Sequence, residues 1–195
     1  MTILLLAWII VCPPDVYSKS EVKERRRFNL VAGISHNSSS IQTKETSTTS
    51  SAKASSTFEA FEIGGDYFLS DRFALTGQML LSFISSADAG VKGYDLGLRY
   101  YFLKNGHESE ATILGSVIES VPGWTPFLHA AFAGRDYQFS TTSISFQGLE
   151  AGGGVDFHYK QHSFIRGSFD YLSLQNTTTR NFTGFSAGIA LGFSF

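Results

Sequence analysis

Residues 183–195 read TGFSAGIALGFSF. Phe185, Ala187, Ile189, Leu191, Phe193 and Phe195 fall on alternate positions, with Gly184, Ser186, Gly188, Ala190, Gly192 and Ser194 between them. A period of two sends successive side chains to opposite faces of a β-strand. One face of this strand is therefore large and apolar, the other small and uncharged. In a soluble barrel the apolar face turns inward and the other meets water. A face of Gly, Ser and Ala is a poor solvent surface, but it suits the interior of a small barrel, which has room only for side chains. The stretch thus predicts a strand whose apolar face looks outward, toward a bilayer.

The same alternation recurs upstream seven times. Phe28, Leu30, Ala32 and Ile34 oppose Asn29, Val31, Gly33 and Ser35; Phe61, Ile63, Gly65 and Tyr67 oppose Glu62, Gly64 and Asp66. Phe73, Leu75, Gly77, Met79, Leu81 and Phe83 form the outward set of a third strand, and Tyr94, Leu96, Leu98, Tyr100 and Phe102 that of a fourth. Leu128, Ala130 and Phe132, then Leu149, Ala151, Val155, Phe157 and Tyr159, then Ile165, Phe169 and Tyr171 mark the rest. Connectors alternate between short (69–72, 160–163) and long (35–57, 85–91, 138–146, 173–182), as an up-and-down barrel with one tight rim requires. The first long connector, rich in Ser and Thr, reads as a mobile extracellular loop. Together these features predict an all-β chain: a closed, antiparallel, up-and-down, eight-stranded transmembrane β-barrel over 28–195. Aromatic side chains near the strand ends fit bilayer interfaces, with Tyr67, Phe73, Tyr100, Phe102, Phe157, Tyr159, Phe193 and Phe195 in one belt and Phe83, Tyr94 and Tyr171 in the other.

Composition agrees. Of 195 residues, 16% are charged and 43% hydrophobic, whereas a soluble surface carries about 25–35% charged residues. No apolar run reaches the roughly 18 residues of a membrane-crossing helix. With 15 basic and 17 acidic residues, no charge excess marks a nucleic-acid surface. Residues 3–11 are continuously apolar and precede Pro13-Pro14, so 1–20 reads as a signal peptide, although no Lys or Arg precedes the run and no A-x-A-like site follows it. The alternative is a buried N-terminal strand or helix. The lone cysteine, Cys12, lies at the end of that run, leaving 28–195 without thiol chemistry. Residues 21–27 (EVKERRR) form a basic periplasmic tail.

The inward positions collect Glu62, Asp66, Asp95, Glu150, Asp156 and Asp170 with Arg99, Arg135 and Arg166, plus His129 and His158. Unpaired buried charge is costly, so such groups must be paired or wetted. Antiparallel register puts Asp66, Arg99, Asp156, His158 and Arg166 toward the periplasmic half and Glu62, Asp95, Arg135, Glu150 and Asp170 higher. A salt-bridged plug is the expectation; a gated pore, in which these groups exchange partners, is the alternative. His36 and Ser38 have H-x-S spacing at the start of a Ser-rich loop. A nucleophile and its base are recognised by geometry and not by spacing, no supporting acid accompanies them, and no catalysis, metal or cofactor is expected. Residues 104–124 exceed a periplasmic turn. Ile113, Val117 and Val121 recur at a helical spacing of four, while Gly115 and the β-branched residues favour an extended hairpin.

The fragments YFLSDRFAL (67–75), YDLGLRYYF (94–102), GGGVDF (152–157) and the final GFSF (192–195) resemble the small outer-membrane barrels similar to OmpX and the transmembrane domain of OmpA. That resemblance implies a Gram-negative outer-membrane location and contact with its lipids. It also implies recognition by the barrel-assembly machinery through the last strand, with Phe193 and Phe195 as the signal. Exposed loops would leave an extracellular ligand or surface as a further partner, in a structural or surface-interaction role.

Overall fold

The computed structural model describes residues 16–18, 27–43, 52–70, 72–85, 90–102, 109–113, 116–120, 123–138, 142–160, 162–176 and 180–195. Eight long strands close on themselves: Phe28–Thr43 (β1), Ala52–Phe68 (β2), Phe73–Ser85 (β3), Gly90–Tyr101 (β4), Trp124–Gln138 (β5), Ser143–Lys160 (β6), Ser163–Gln175 (β7) and Arg180–Ser194 (β8). Every pairing is antiparallel between sequence neighbours except the seam, where β8 joins β1 from Arg180↔Thr43 to Ser194↔Asn29. Beyond β8 the main chain of Phe195 accepts from Arg27 N at 3.0 Å and donates to Phe28 O at 2.8 Å. The tight β2–β3 turn is held by Leu69 N donating to Phe73 O at 2.9 Å and by Phe73 N donating to Ser70 Oγ at 3.2 Å.

Side-chain direction follows the alternation. Leu30, Ile34, Phe61, Leu75, Met79, Leu96, Leu128, Phe169, Ile189 and Leu191 are exposed on the outside, while the charged inward positions are buried apart from the partly buried Glu62. The outward apolar run on β8 extends from Phe185 to Phe195. At about 3.3 Å per residue and a tilt of about 40°, such a run covers about 25 Å of height, the thickness of an outer-membrane apolar band. Rings cluster at its edges: Phe73 and Tyr100 lie 5.0 Å apart at one end, and Tyr171 and Phe185 lie 5.2 Å apart at the other.

The strands are longer than the bilayer demands, which corrects the expected connectors. Ser35 to Thr43 continues β1, and Ala52 to Thr57 belongs to β2, with Ser38 opposite Thr57 and Ile41 opposite Ala54. Likewise β5 runs to Gln138 with β6 starting at Ser143, and β7 runs to Gln175 with β8 starting at Arg180. β6 alone, at 18 residues, covers about 45 Å of height at the same rise and tilt. The barrel therefore stands well clear of the apolar band. Of the mobile loops expected there, residues 44–51, 86–89, 139–141 and 177–179 lie outside the described residues.

Within 104–124, the described residues 109–113 and 116–120 resolve the remaining alternative; 104–108, 114–115 and 121–122 lie outside the described residues. Ser109–Ile113 and Ser116–Ser120 form an extended hairpin with Ile113 opposite Ser116, not a helix. The spacing of four was fortuitous; Thr112, Ile113, Val117 and Ile118 are β-branched and favour the pleated backbone. Val16–Ser18, from the stretch expected as a leader, pairs with the hairpin's second strand. The remainder of the expected leader and, apart from Arg27, the basic tail lie outside the described residues.

Candidate functional site: the barrel interior

From the periplasmic end upward, the interior is filled in four layers. The lowest is aromatic. Tyr101 packs between Phe68 (5.5 Å) and Phe127 (5.7 Å), with Phe164 fully buried nearby. Gly192 on β8 makes room for this floor, since a Cβ there would run into the Phe164 ring. At Gly192 the small face of β8 accommodates an aromatic ring, and at Gly188, higher on the same face, it faces Ser168 and Glu62.

Above the floor lies a balanced ionic group. Asp66 on β2 bridges two guanidinium groups, Arg99 of β4 and Arg166 of β7, the latter at 2.8 Å. Arg166 also grips Asp156 of β6 through Nε at 2.7 Å and Nη2 at 2.8 Å, and Tyr101 donates to the same carboxylate at 3.1 Å. Two acids meet two bases. Parallel two-point contacts of this kind are among the stronger charge-assisted hydrogen bonds. Both Arg side chains lie over Phe127, at 4.5 and 5.1 Å from the ring centre, so the floor supports the cations through its π face.

The next layer is centred on Arg135 of β5. It holds both oxygens of Asp95, at 2.5 and 3.2 Å, and Oε2 of Glu150 at 2.9 Å. His129 stands between Glu150 (3.2 Å) and Asp170 (3.3 Å). Glu62 approaches the same group and accepts hydrogen bonds from Ser35 and Gln78. His158, expected with the lower ions, is placed with its ring 5.2 Å from Phe164.

The topmost layer was not foreseen. Phe58, Ala60, Leu80, Val91, Ala133, Tyr137, Phe146, Leu172, Leu174 and Phe182 form one buried apolar cluster inside the upper barrel. Tyr137 packs edge-on against Phe58 at 6.1 Å and Phe146 at 6.0 Å, with its hydroxyl 3.3 Å from Ser39. A usable signal existed: Phe58, Phe146 and Phe182 keep the inward phase of their strands. Tyr101 likewise continues the inward phase of Asp95 and Arg99.

His36 lies on the outer face, away from these layers, and the structure supplies an acid beside it that the sequence reading lacked. Glu59 lies 2.6 Å from its Nδ1, across the β1–β2 pairing. Ser38 is exposed on the same face, and among the described residues no hydrogen bond joins it to His36.

No family model and no curated protein sequence matches this chain. Solved structures do. The Neisserial surface protein A crystal structure is 15% identical over 89% of this chain and all of its own, with a TM-score of 0.51. The N-terminal β-barrel domain of Pseudomonas aeruginosa OprF is 16% identical over 88% of this chain and all of its own, with a TM-score of 0.51. AlkL, an outer-membrane protein solved in lipid bilayers, is 12% identical over 91% of this chain and 94% of its own, with a TM-score of 0.54. An outward apolar belt, an inward ionic core and these likenesses together give the chain the fold of the small eight-stranded transmembrane barrels of the Gram-negative outer membrane.

Proposed function

We propose that the chain is an integral protein of the Gram-negative outer membrane with a closed, plugged interior and a structural or surface-interaction role. One observation carries the plug: the aromatic floor, two ionic groups and the apolar cluster follow one another along the interior, linking strands on opposite sides. A gated pore would need the Arg166–Asp66 and Arg135–Glu150 contacts to open in the company of buried aromatics above and below. Planar-bilayer recordings test this. The expected result is no unitary conductance in the wild type, and none in Arg99→Ala or Arg166→Ala; discrete openings in any of the three would favour the pore.

The polar collar above the membrane belt is the surface an extracellular partner would meet. Phe193 and Phe195 face outward on and just beyond the last strand, where the barrel-assembly machinery would engage it. We assign no catalysis to His36, Ser38 and Glu59, because Ser38 is not hydrogen-bonded to the imidazole that would activate it. Mass spectrometry of lipid A from cells with and without the gene should give identical spectra. A lost acyl chain that Ser38→Ala restores would overturn the assignment.

A further inference from the structure

The two ionic groups differ in charge. Below, Asp66 and Asp156 face Arg99 and Arg166. Above, Glu62, Asp95 and Glu150 gather around one guanidinium, Arg135, and Asp170 joins the group through His129. Ionised, the upper group carries a surplus of negative charge, and His129 sits within that surplus.

Local geometry shows where a counter-charge fits. His129, Gly152 and Asp170 form one row across β5, β6 and β7, with Gly152 in register with both neighbours. Glu150 precedes Gly152 by two residues on the same inward face. A Cβ at Gly152 would overlap Oδ1 of Asp170, so its absence lets the three ligand-type side chains converge. One ligand atom from each lies within 4.8 Å of the other two. Nδ1 of His129 and Oδ1 of Asp170 are both buried and lie 3.3 Å apart, yet no directed hydrogen bond joins them to each other or to another group. Their side chains are 7% and 10% exposed. A neutral imidazole has one N–H and cannot donate to acids on both sides. A cavity of about 30 Å³ adjoins all three residues, room for about two waters.

We propose that His129, Glu150 and Asp170 form a divalent-cation site of the zinc class inside the barrel. Imidazole nitrogen and carboxylate oxygen are both ligands for Zn²⁺, and a site with three protein ligands leaves the fourth position to water. Because Glu150 faces Nε2 and Asp170 faces Nδ1 of the imidazole, one carboxylate must swing toward the nitrogen that binds before all three reach ligand distances of about 2.0–2.2 Å. The ion offsets the surplus charge of the upper group and ties β5, β6 and β7 together from within. Metal binding and conductance are read separately, so this inference stands or falls independently of the closed-barrel reading.

The test uses the full barrel in phosphatidylcholine nanodiscs, with Zn²⁺ supplied during refolding in one sample and afterwards in another. Metal analysis of the isolated discs should find one zinc per chain in at least one of the two. His129→Ala, Glu150→Gln and Asp170→Asn should each weaken binding at least about tenfold, whereas His36→Ala and His162→Ala should leave it unchanged. Folding of each variant is checked by heat-modifiable gel mobility. Absence of stoichiometric zinc in the wild type would overturn the site and leave a proton as the counter-charge; so would zinc that survives His129→Ala and Asp170→Asn. If those variants fail to fold, Co²⁺ in the wild type decides. Intense visible bands of a low-coordinate ion are expected, and the spectrum of aqueous Co²⁺ would overturn the proposal.

Discussion

The lower and upper halves of this barrel obey the same alternation with opposite polarity. Within the apolar belt, β1 turns Phe28, Leu30 and Ile34 outward and Asn29 and Ser35 inward. Higher up, the neighbouring strands turn Ser55, Thr57, Asp136, Gln138, Ser143, Ser145 and Gln175 outward, while Phe58, Tyr137, Phe146, Leu174 and Phe182 fill the inside. Backbone phase is unchanged along these strands, although the β2–β3 register shifts between Glu59 and Ala60. What changes is the medium outside: hydrocarbon selects apolar side chains for the outer face, leaving the interior to ion pairs, whereas water selects polar ones and lets the hydrophobic effect return to the core. One continuous sheet therefore carries a membrane protein below and a soluble-type barrel above.

Breaking the lower core should produce the largest effect. Arg166→Ala leaves Asp156 the Tyr101 hydroxyl in place of a guanidinium, and Asp66 a single guanidinium, Arg99, in a buried layer; removing one partner of such a group costs about 3–5 kcal/mol. Equilibrium unfolding in lipid vesicles should show that loss, and a change below about 1 kcal/mol would mean that water enters and compensates. Placing one charge at two heights of the outer face sharpens the contrast. Leu96→Arg, in the apolar belt, should cost about 2–4 kcal/mol, whereas Ser145→Arg on the emergent part of β6 should stay within about 0.5 kcal/mol. Equal costs at the two positions would remove the distinction between the halves. Smallest is Ser39→Ala, which deletes the hydroxyl donating to Ser56 O at 3.1 Å and facing Tyr137; about 1 kcal/mol is expected, read by the same unfolding titration.

The contrast also explains what the sequence could reveal. Strands in the belt were legible because runs such as Leu75, Met79 and Leu81 against Thr76, Gln78 and Ser82 leave no doubt about phase. Above the belt the code fades. Along 36–43 and 52–57 both faces carry polar or small groups, and only Ile41 and, just beyond, Phe58 mark the inside, so the alternation does not distinguish paired strand from loop there. The charged inward residues and their two heights followed from register. Their partners did not, because Arg166 and Asp66 meet across the interior from strands that share no edge, and alternation carries no information about what lies opposite. His129 was legible as inward, but its position between Glu150 and Asp170 depends on Gly152 being in register with both flanking strands.

The seam between β8 and β1 sets a condition on how the molecule comes into being. Every other pairing within the barrel joins sequence neighbours, closable as soon as the two strands exist, whereas Ser194 must find Asn29 from the far end of the barrel sequence. Closing so long a loop costs more entropy and is slow. Until it closes, β1 and β8 present rows of unpaired N–H and C=O groups, which invite other chains in water and find no partner in hydrocarbon. Insertion and closure must therefore proceed together, and a nascent chain held before that step needs its two free edges shielded.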